Sequence, residues 1–194
     1  MIGLQELDRN ILIWIQEHLR TEFLTPFWKA ITSLGDAGWF WIALGVLFLC
    51  FKKTRKTGIM ALLSLGIGFL ITNLCLKNMI ARPRPFDVYT QILPLIERPT
   101  DYSFPSGHTC ASFACALVCL RMLPKKFGVC TVILAVMIAF SRMYLGVHYP
   151  GDVLGGFLAG LTASVLAYHL VVKYEQFREK EKSGLAHIWK HGGR

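Results

Sequence analysis

Four stretches of this chain are so long and so free of charge that water is a poor solvent for them: residues 37–51, 57–76, 127–141 and 153–172. A fifth, 106–120, is uncharged apart from His108 near its start. A helix needs about 20 apolar residues to cross the hydrocarbon core of a bilayer. The 57–76 and 153–172 runs reach that length alone. The 37–51 run is expected to extend back through "TPFWKAITSLGD", with Lys29 and Asp36 near the headgroups, and the 106–120 and 127–141 runs to borrow their flanks. A composition 54% hydrophobic and a mean hydropathy of +0.46 are likewise too apolar for an ordinary soluble domain. The expected fold is therefore all-α, a polytopic membrane helix bundle of about five spans.

The N-terminal segment has another pattern. In "LQELDRNILIWIQEHLR", Leu4, Leu7, Ile11, Trp14 and Ile15 recur at helical spacing, opposite Asp8, Arg9, Gln16 and Glu17. Such a helix suits the membrane interface better than its interior. No basic stretch leads into an apolar core and a small-residue cleavage site, so no signal peptide is expected. The chain reads as one domain: an interfacial helix over 1–22, a transmembrane bundle over 23–173 and a basic tail over 174–194. Its six cysteines fall in or beside the spans without forming a C-x-x-C pair, and are expected to pack as small apolar residues.

The net charge of +9 is unevenly placed. "KKTRK" (52–56), "RMLPKK" (121–126) and the tail after Val172 fall on one face if the spans alternate. The positive-inside rule makes that face cytoplasmic, and juxtamembrane flanks account for these charges without a nucleic-acid partner. The N-terminus and the two remaining connections then face outward.

Those two connections break the rule, because they too are basic. The first, residues 77–105, begins "KNMIARPRPF" and ends "DYSFPSGH"; Pro83 and Pro85 stop the preceding helix and stiffen the chain beyond it. The second is "SRMYLGVHYPGD", residues 141–152. Side chains snorkelling to lipid headgroups explain single cations but not two histidines and an aspartate beside them. In "FPSGHTCASF", Ser106 is placed to cap a helix whose free N–H groups attract anions, and Gly107 permits close approach. His148 and Asp152 are one helical turn apart, so the carboxylate can orient the imidazole. With Lys77, Arg84 and Arg142 the set suits a phosphoryl group: arginine forks match its oxygens, and lysine adds a point charge. Carboxylates in these connections are few (Asp87, Glu97, Asp101, Asp152), thin for a two-metal site.

These residues resemble the signature of the type-2 phosphatidic acid phosphatase superfamily of membrane lipid phosphatases. Its three parts are K-x6-R-P, P-S-G-H and S-R-x5-H-x3-D. Here they read Lys77 to Arg84-Pro85, Pro105-Ser106-Gly107-His108, and Ser141-Arg142 to His148 to Asp152, in order and at the expected spacing. The resemblance covers about residues 20–173. It implies that His148 is the nucleophile forming a phosphohistidine, that Asp152 orients it, and that His108 protonates the leaving oxygen and then activates water. Lys77, Arg84, Ser106, Gly107 and Arg142 would hold the phosphate, with no metal and no cofactor. The implied setting is a bacterial plasma membrane, the implied substrate a lipid phosphate or diphosphate on the outer leaflet. An undecaprenyl diphosphate is placed slightly ahead of phosphatidylglycerol phosphate or phosphatidic acid. Many bacterial members have six spans, and this chain is expected to lack the first.

Three alternatives stay open. A lipid-phosphate binder or carrier would need the cations but not both histidines and Asp152. A haloperoxidase with bound vanadate would share the site, though a bundle of spans favours a lipid over a soluble halide. A small-molecule transporter fits less well, because the spans lack charge at mid-depth. Asn73 and His169 are the polar exceptions there, expected to hydrogen-bond between helices. Oligomeric state cannot be read from the sequence.

Overall fold

The structure, a computed structural model, describes the backbone of residues 2–191 and the side chains of residue 3 and of 5–181. The basic tail expected over 174–194 is described only in part: the last helix carries its backbone as far as His191, and residues 192–194 lie outside the described residues. All regular structure among the described residues is helical. Helix α1 spans Ile2–His18, α2 Leu24–Ser33, α3 Trp39–Cys50, α4 Arg55–Phe69, α5 Lys77–Ile80, α6 Pro85–Val88, α7 Gly107–Met122, α8 Lys125–Tyr144 and α9 Pro150–His191.

Helix α7 is the axis of the bundle, packed against α8, α9 and α4, while α3 lies on α4 and α2 on α8. Its buried face is built of small side chains: Cys110, Ala114, Cys115, Ala116 and Cys119 are all within 1% of complete burial. Opposite them on α9 stand Gly156 and Gly160. A Cβ at Gly156 would lie 2.5 Å from the Ser106 carbonyl oxygen, and one at Gly160 would lie 2.7 Å from that of Cys110. Because lipid supplies no hydrophobic drive between spans, close backbone approach must hold the helices together. Large apolar side chains point the other way: Ile133, Val136, Leu154, Leu158 and Leu170 are about half exposed, as a lipid-facing surface requires. The cysteines divide accordingly. Cys110, Cys115 and Cys119 pack in the bundle, Cys50, Cys75 and Cys130 are exposed, and all six are free thiols.

Two spans differ from expectation. The first does not run straight from Thr25 to Phe51: α2 and α3 are joined by a 3-10 turn at Asp36–Gly38 and bent by 44°. Left-handed backbone at Ala37 (φ 49°) and Gly38 (φ 68°) breaks the hydrogen-bond ladder there. Helix α7, at 16 residues, covers about 24 Å at 1.5 Å per residue, short of a bilayer core of about 30 Å. By length, three helical segments can cross, Arg55–Val88, Lys125–Tyr144 and Pro150–Glu181, or four with the bent pair. Helix α7 can be short because its neighbours, rather than lipid, cover most of it.

Helix α1 lies across one end of the bundle against α8 and α9. Leu12 and Ile15 are buried beneath it, while Leu7 and Trp14 are exposed. Leu12 packs on Ile92 and Tyr149, and Ile15 on Tyr144 and Leu145. Just beyond the helix, Arg20 Nε donates to the Tyr144 carbonyl at 2.7 Å. At the opposite end, Lys56 pairs with Glu175 of α9, and the Arg121 guanidinium stacks 3.5 Å from the centre of the Tyr168 ring. The three basic stretches thus share one end and α1 marks the other.

Candidate active site

The α1 end holds a cavity of about 1350 Å³ whose lining includes Lys77, Arg84, Gly107, His108, Arg142 and His148. Each arrives by a different local device. Helix α4 passes into a π-helical segment, Leu70–Leu76, and then into α5, whose first residue is the buried Lys77. π-segments re-aim side chains, and they concentrate at functional sites. Helix α5 ends at Ala81 in left-handed conformation, and Pro85 opens α6 with Arg84 as its extended N-cap. The helix thus ends two residues before Pro83, and Pro85 begins a new helix where the sequence suggests only a stop, because its missing N–H costs nothing in a first turn. Arg142 sits in the last turn of α8, and His148 in the short loop before Pro150 begins α9.

Ser106 is the N-cap of α7: its hydroxyl accepts from the Thr109 N–H at 3.4 Å and the Thr109 hydroxyl at 3.0 Å. It is fully buried and shapes the helix start, leaving Gly107 to face the cavity. A Cβ on Gly107 would stand 3.5 Å from Asn73 Oδ1 and 4.0 Å from Lys77 Nζ, so the helix N-terminus and the lysine address the same space. Asn73 does not bridge two helices as expected. It lies in the π-helical segment and lines the cavity, its buried Oδ1 without a partner.

The buried imidazole of His148 is held by its two sides. Nδ1 lies 3.4 Å from Asp152 Oδ2, and Nε2 lies 3.5 Å from Arg84 Nη1. Burial drives the His148 pKa down to about 3, with Arg142 and Arg84 adding to the shift and Asp152 opposing it. The ring is neutral at physiological pH, with Nε2 turned toward the cavity. Asp152 is completely buried; it also accepts from the Ser103 hydroxyl, from the Tyr149 N–H at 2.8 Å and from Arg82 Nη1 at 2.8 Å.

The cations are fixed as firmly. Arg84 donates from Nε to the Asp101 carbonyl (2.8 Å), from Nη2 to the Asp101 carboxylate (2.6 Å) and from Nη1 to the Val147 carbonyl (2.8 Å). Lys77 pairs with the other oxygen of Asp101. Burial would raise the Asp101 pKa, but Lys77 and then Arg84 hold it down at about 2, so the carboxylate stays charged. Arg142 donates from Nη1 to Thr32 Oγ1 at 2.7 Å, while its buried Nε has no partner. His108 Nε2 lies 2.9 Å from Asp36 Oδ1, at the bend between α2 and α3. Among the described residues no three His, Cys, Asp or Glu side chains converge as metal ligands. The counter-charge offered to an anion comes from Lys77, Arg84, Arg142 and the start of α7.

The cavity's cations and histidines stand out in the sequence, whereas the carboxylates that brace them do so less. Asp101 is five residues before Ser106, and its place beside the motif is a signal of its function. Asp36 is a charge inside an expected span, which is another. Nothing local singles out Asp8 or Ser103.

Fold and site together define a polytopic membrane protein with a cavity lined by Lys77, Arg84 and Arg142 at one end of its bundle. The sequence model of the PAP2 superfamily matches residues 57–176. An undecaprenyl-diphosphatase of Sulfolobus acidocaldarius is 38% identical over 67% of this chain, a match spanning 63% of that protein's length. Phosphatidylglycerophosphatase B of Bacillus subtilis is 32% identical over 84% of this chain and 82% of its own. The crystal structure of a transmembrane PAP2-type phosphatidylglycerolphosphate phosphatase from Bacillus subtilis superposes with a TM-score of 0.73 at 30% identity, covering 89% of this chain and 88% of that one. The chain belongs to the PAP2 superfamily.

Proposed function

We propose that this protein hydrolyses a lipid phosphate or diphosphate on the outer leaflet by way of a phosphohistidine at His148. The observation that carries the reading is the orientation of His148: Nδ1 faces a buried carboxylate, and Nε2 faces a cavity lined by three cations. In the first step Nε2 attacks phosphorus, the bond from phosphorus to the leaving oxygen breaks, and His108 gives that oxygen a proton. In the second, water attacks the phosphohistidine, His108 takes its proton, and inorganic phosphate leaves. Lys77, Arg84, Arg142 and the α7 start at Ser106–Gly107 hold the equatorial oxygens, whose charge is best stabilised in the transition state. Asp152 keeps the proton on Nδ1 and stabilises the positive ring that forms. A carrier would require the same cations but would leave His108 and His148 without work.

Ile42, Leu62, Leu65 and Phe69 from α3 and α4 extend the cavity wall with apolar surface, which suits a lipid tail. Among lipids we place a polyprenyl diphosphate first. Its first hydrolysis releases a phosphomonoester, a better leaving group than an alkoxide, and the three cations match its charge. The resemblance to the Sulfolobus diphosphatase favours the same choice. A second reading, phosphatidylglycerol phosphate, has the wider likeness to the Bacillus enzyme in its favour.

The test is phosphate release in one detergent system from undecaprenyl diphosphate, phosphatidylglycerol phosphate and phosphatidic acid, compared by kcat/KM. The diphosphate is expected to lead, EDTA to leave turnover unchanged, and His148→Ala to abolish it. A diphosphate about tenfold poorer than either glycerolipid, about 1.4 kcal/mol the wrong way, overturns the choice of lipid. Strong EDTA inhibition reversed by a divalent metal overturns the mechanism.

A further inference from the structure

The N-terminal helix reaches the candidate active site through one ion-paired chain. Asp8 of α1 accepts from Arg82 Nη2 at 2.7 Å, and Arg82 Nη1 donates to Asp152 Oδ1 at 2.8 Å. The second oxygen of Asp8 accepts the Gly151 N–H at 2.9 Å, in the first turn of the helix that carries Asp152. Between the two carboxylates, the Arg82 guanidinium lies on Tyr149, 3.9 Å from the ring centre. The approach is tight: a Cβ at Gly151 would stand 2.9 Å from Asp8 Oδ2 and 3.3 Å from Arg82 Nη1, so the two side-chain ends would have to shift to admit it.

From this geometry we infer that Asp8 and Arg82 are positioning residues for turnover, acting through Asp152, so that seating of the N-terminal helix is part of the catalytic apparatus. The inference rests on the reading that Asp152 orients His148 as nucleophile.

The physical case begins with Asp152. A carboxylate with no exposure at all is costly unless its charge is paired and its lone pairs are filled. Oδ2 serves the Ser103 hydroxyl, the Tyr149 N–H and His148 Nδ1, and the imidazole contact at 3.4 Å is long. Oδ1 has the Arg82 guanidinium as its cationic partner. Arg82 therefore sets the rotation of the carboxylate plane, and with it the separation of Oδ2 from Nδ1. Without it the carboxylate can turn toward Ser103 and leave the imidazole unoriented.

Asp8 does two things to Arg82. It fixes the second edge of the fork, so the guanidinium cannot swing off Asp152, and it offsets the charge. His148 already faces Arg84 and Arg142, with Asp101 beyond Arg84. Another uncompensated cation behind Asp152 would oppose the positive ring formed during phosphoryl transfer. A guanidinium flanked by two carboxylates supplies orientation without that penalty. The sequence hides this role, because Asp8 looks like one more charge on the polar face of an interfacial helix.

The experiment uses the full-length protein in detergent with undecaprenyl diphosphate or phosphatidylglycerol phosphate, whichever the wild type turns over faster. Asp8→Asn, Arg82→Ala, the double variant, Asp152→Asn and Glu17→Gln are compared, each assayed below its own unfolding midpoint. Glu17, exposed on the same helix, is expected to be neutral when replaced. We expect Arg82→Ala to lower kcat by about tenfold or more and Asp8→Asn by about threefold or more, with KM nearly unchanged, as loss of a transition-state interaction requires. The double variant should be no worse than Arg82→Ala alone, since both act through one contact. Methylguanidinium should restore part of the Arg82→Ala rate, which a defect in folding would not allow. Wild-type kcat in Asp8→Asn and Arg82→Ala beside an inactive Asp152→Asn overturns this inference alone, as does a loss confined to KM. Full activity in Asp152→Asn overturns the nucleophile reading instead.

Discussion

At the scale of single residues, burial and counter-charge give His148 and Asp101 opposite tasks with the same direction of shift. His148 is almost wholly inaccessible, and its pKa near 3 means that it folds neutral while the unfolded chain titrates near 6.5. Between those values the unfolded state binds more protons than the folded one, so stability rises with pH through this window and falls as pH drops below about 6.5. The slope from this one group approaches about 1.4 kcal/mol per pH unit. We predict that Tm in detergent falls between pH 6.5 and 5 in the wild type, and that His148→Gln removes a large part of the fall. Equal pH dependence in both would mean that His148 is not held neutral by the fold. Asp101 is depressed as well, but by Lys77 and Arg84 against its own burial, and half of its side chain is exposed. Its consequence is geometric: it presents the two cations in fixed directions. The sequence made the cations and histidines legible because ionisable groups at the margin of an apolar run need a reason to be there. Asp8 was not legible as a partner, because a carboxylate in a polar stretch is unremarkable until folding shows what it faces. Asp8 meets Gly151 across 143 residues of chain, and no local spacing encodes that contact.

Elements carry these residues to one end of the bundle, and the pair α7 and α9 fixes the register. Gly160 is one position where that pairing can be tested. An added Cβ would lie 2.7 Å from the Cys110 carbonyl oxygen and 3.0 Å from the Ala114 nitrogen, both backbone atoms that cannot yield locally. Gly160→Ala must part the two helices, and overpacking of this kind costs about 1–3 kcal/mol. Gly66, with nothing within 4 Å of its hypothetical Cβ, is the comparison: Gly66→Ala should be neutral or slightly stabilising, since alanine is the better helix former. Thermal unfolding of the two variants in detergent measures the difference, and a Gly160→Ala protein as stable as wild type would show that the contact is not limiting. Helix existence was readable from apolar length and from Ser106 at the start of α7. What was not readable lay in backbone detail: the left-handed pair Ala37–Gly38 that bends the first span, and the π-helical turn that aims Lys77 and Asn73 into the cavity. Ala37 has no residue-type preference for that conformation, and a π-segment leaves the apolar pattern intact.

For the whole molecule, the decisive property is that its two ends are chemically unlike. One end gathers the basic stretches at 52–56 and 121–126 with the Lys56–Glu175 pair on α9. The other holds α1, the cavity and the cations committed to it. Cations of the second kind are internal, paired with Asp101, Asp8 and Asp152 or bonded to Thr32, so they add little to the field that governs insertion. Cations of the first kind are mostly solvent-facing, and they decide orientation by the positive-inside rule. We predict that the basic end is cytoplasmic and that the cavity opens outward, as hydrolysis on the outer leaflet would require. Single cysteines at Thr100 and at Lys53, in a background with all six native cysteines replaced, test this in whole cells with an impermeant thiol reagent. Thr100 borders the cavity and Lys53 is exposed in the α3–α4 connection. Cysteine at 100 should label in intact cells, and cysteine at 53 only after the membrane is permeabilised. The reverse pattern would turn the molecule over and move its chemistry to the cytoplasmic leaflet, while leaving every distance within the site as it is.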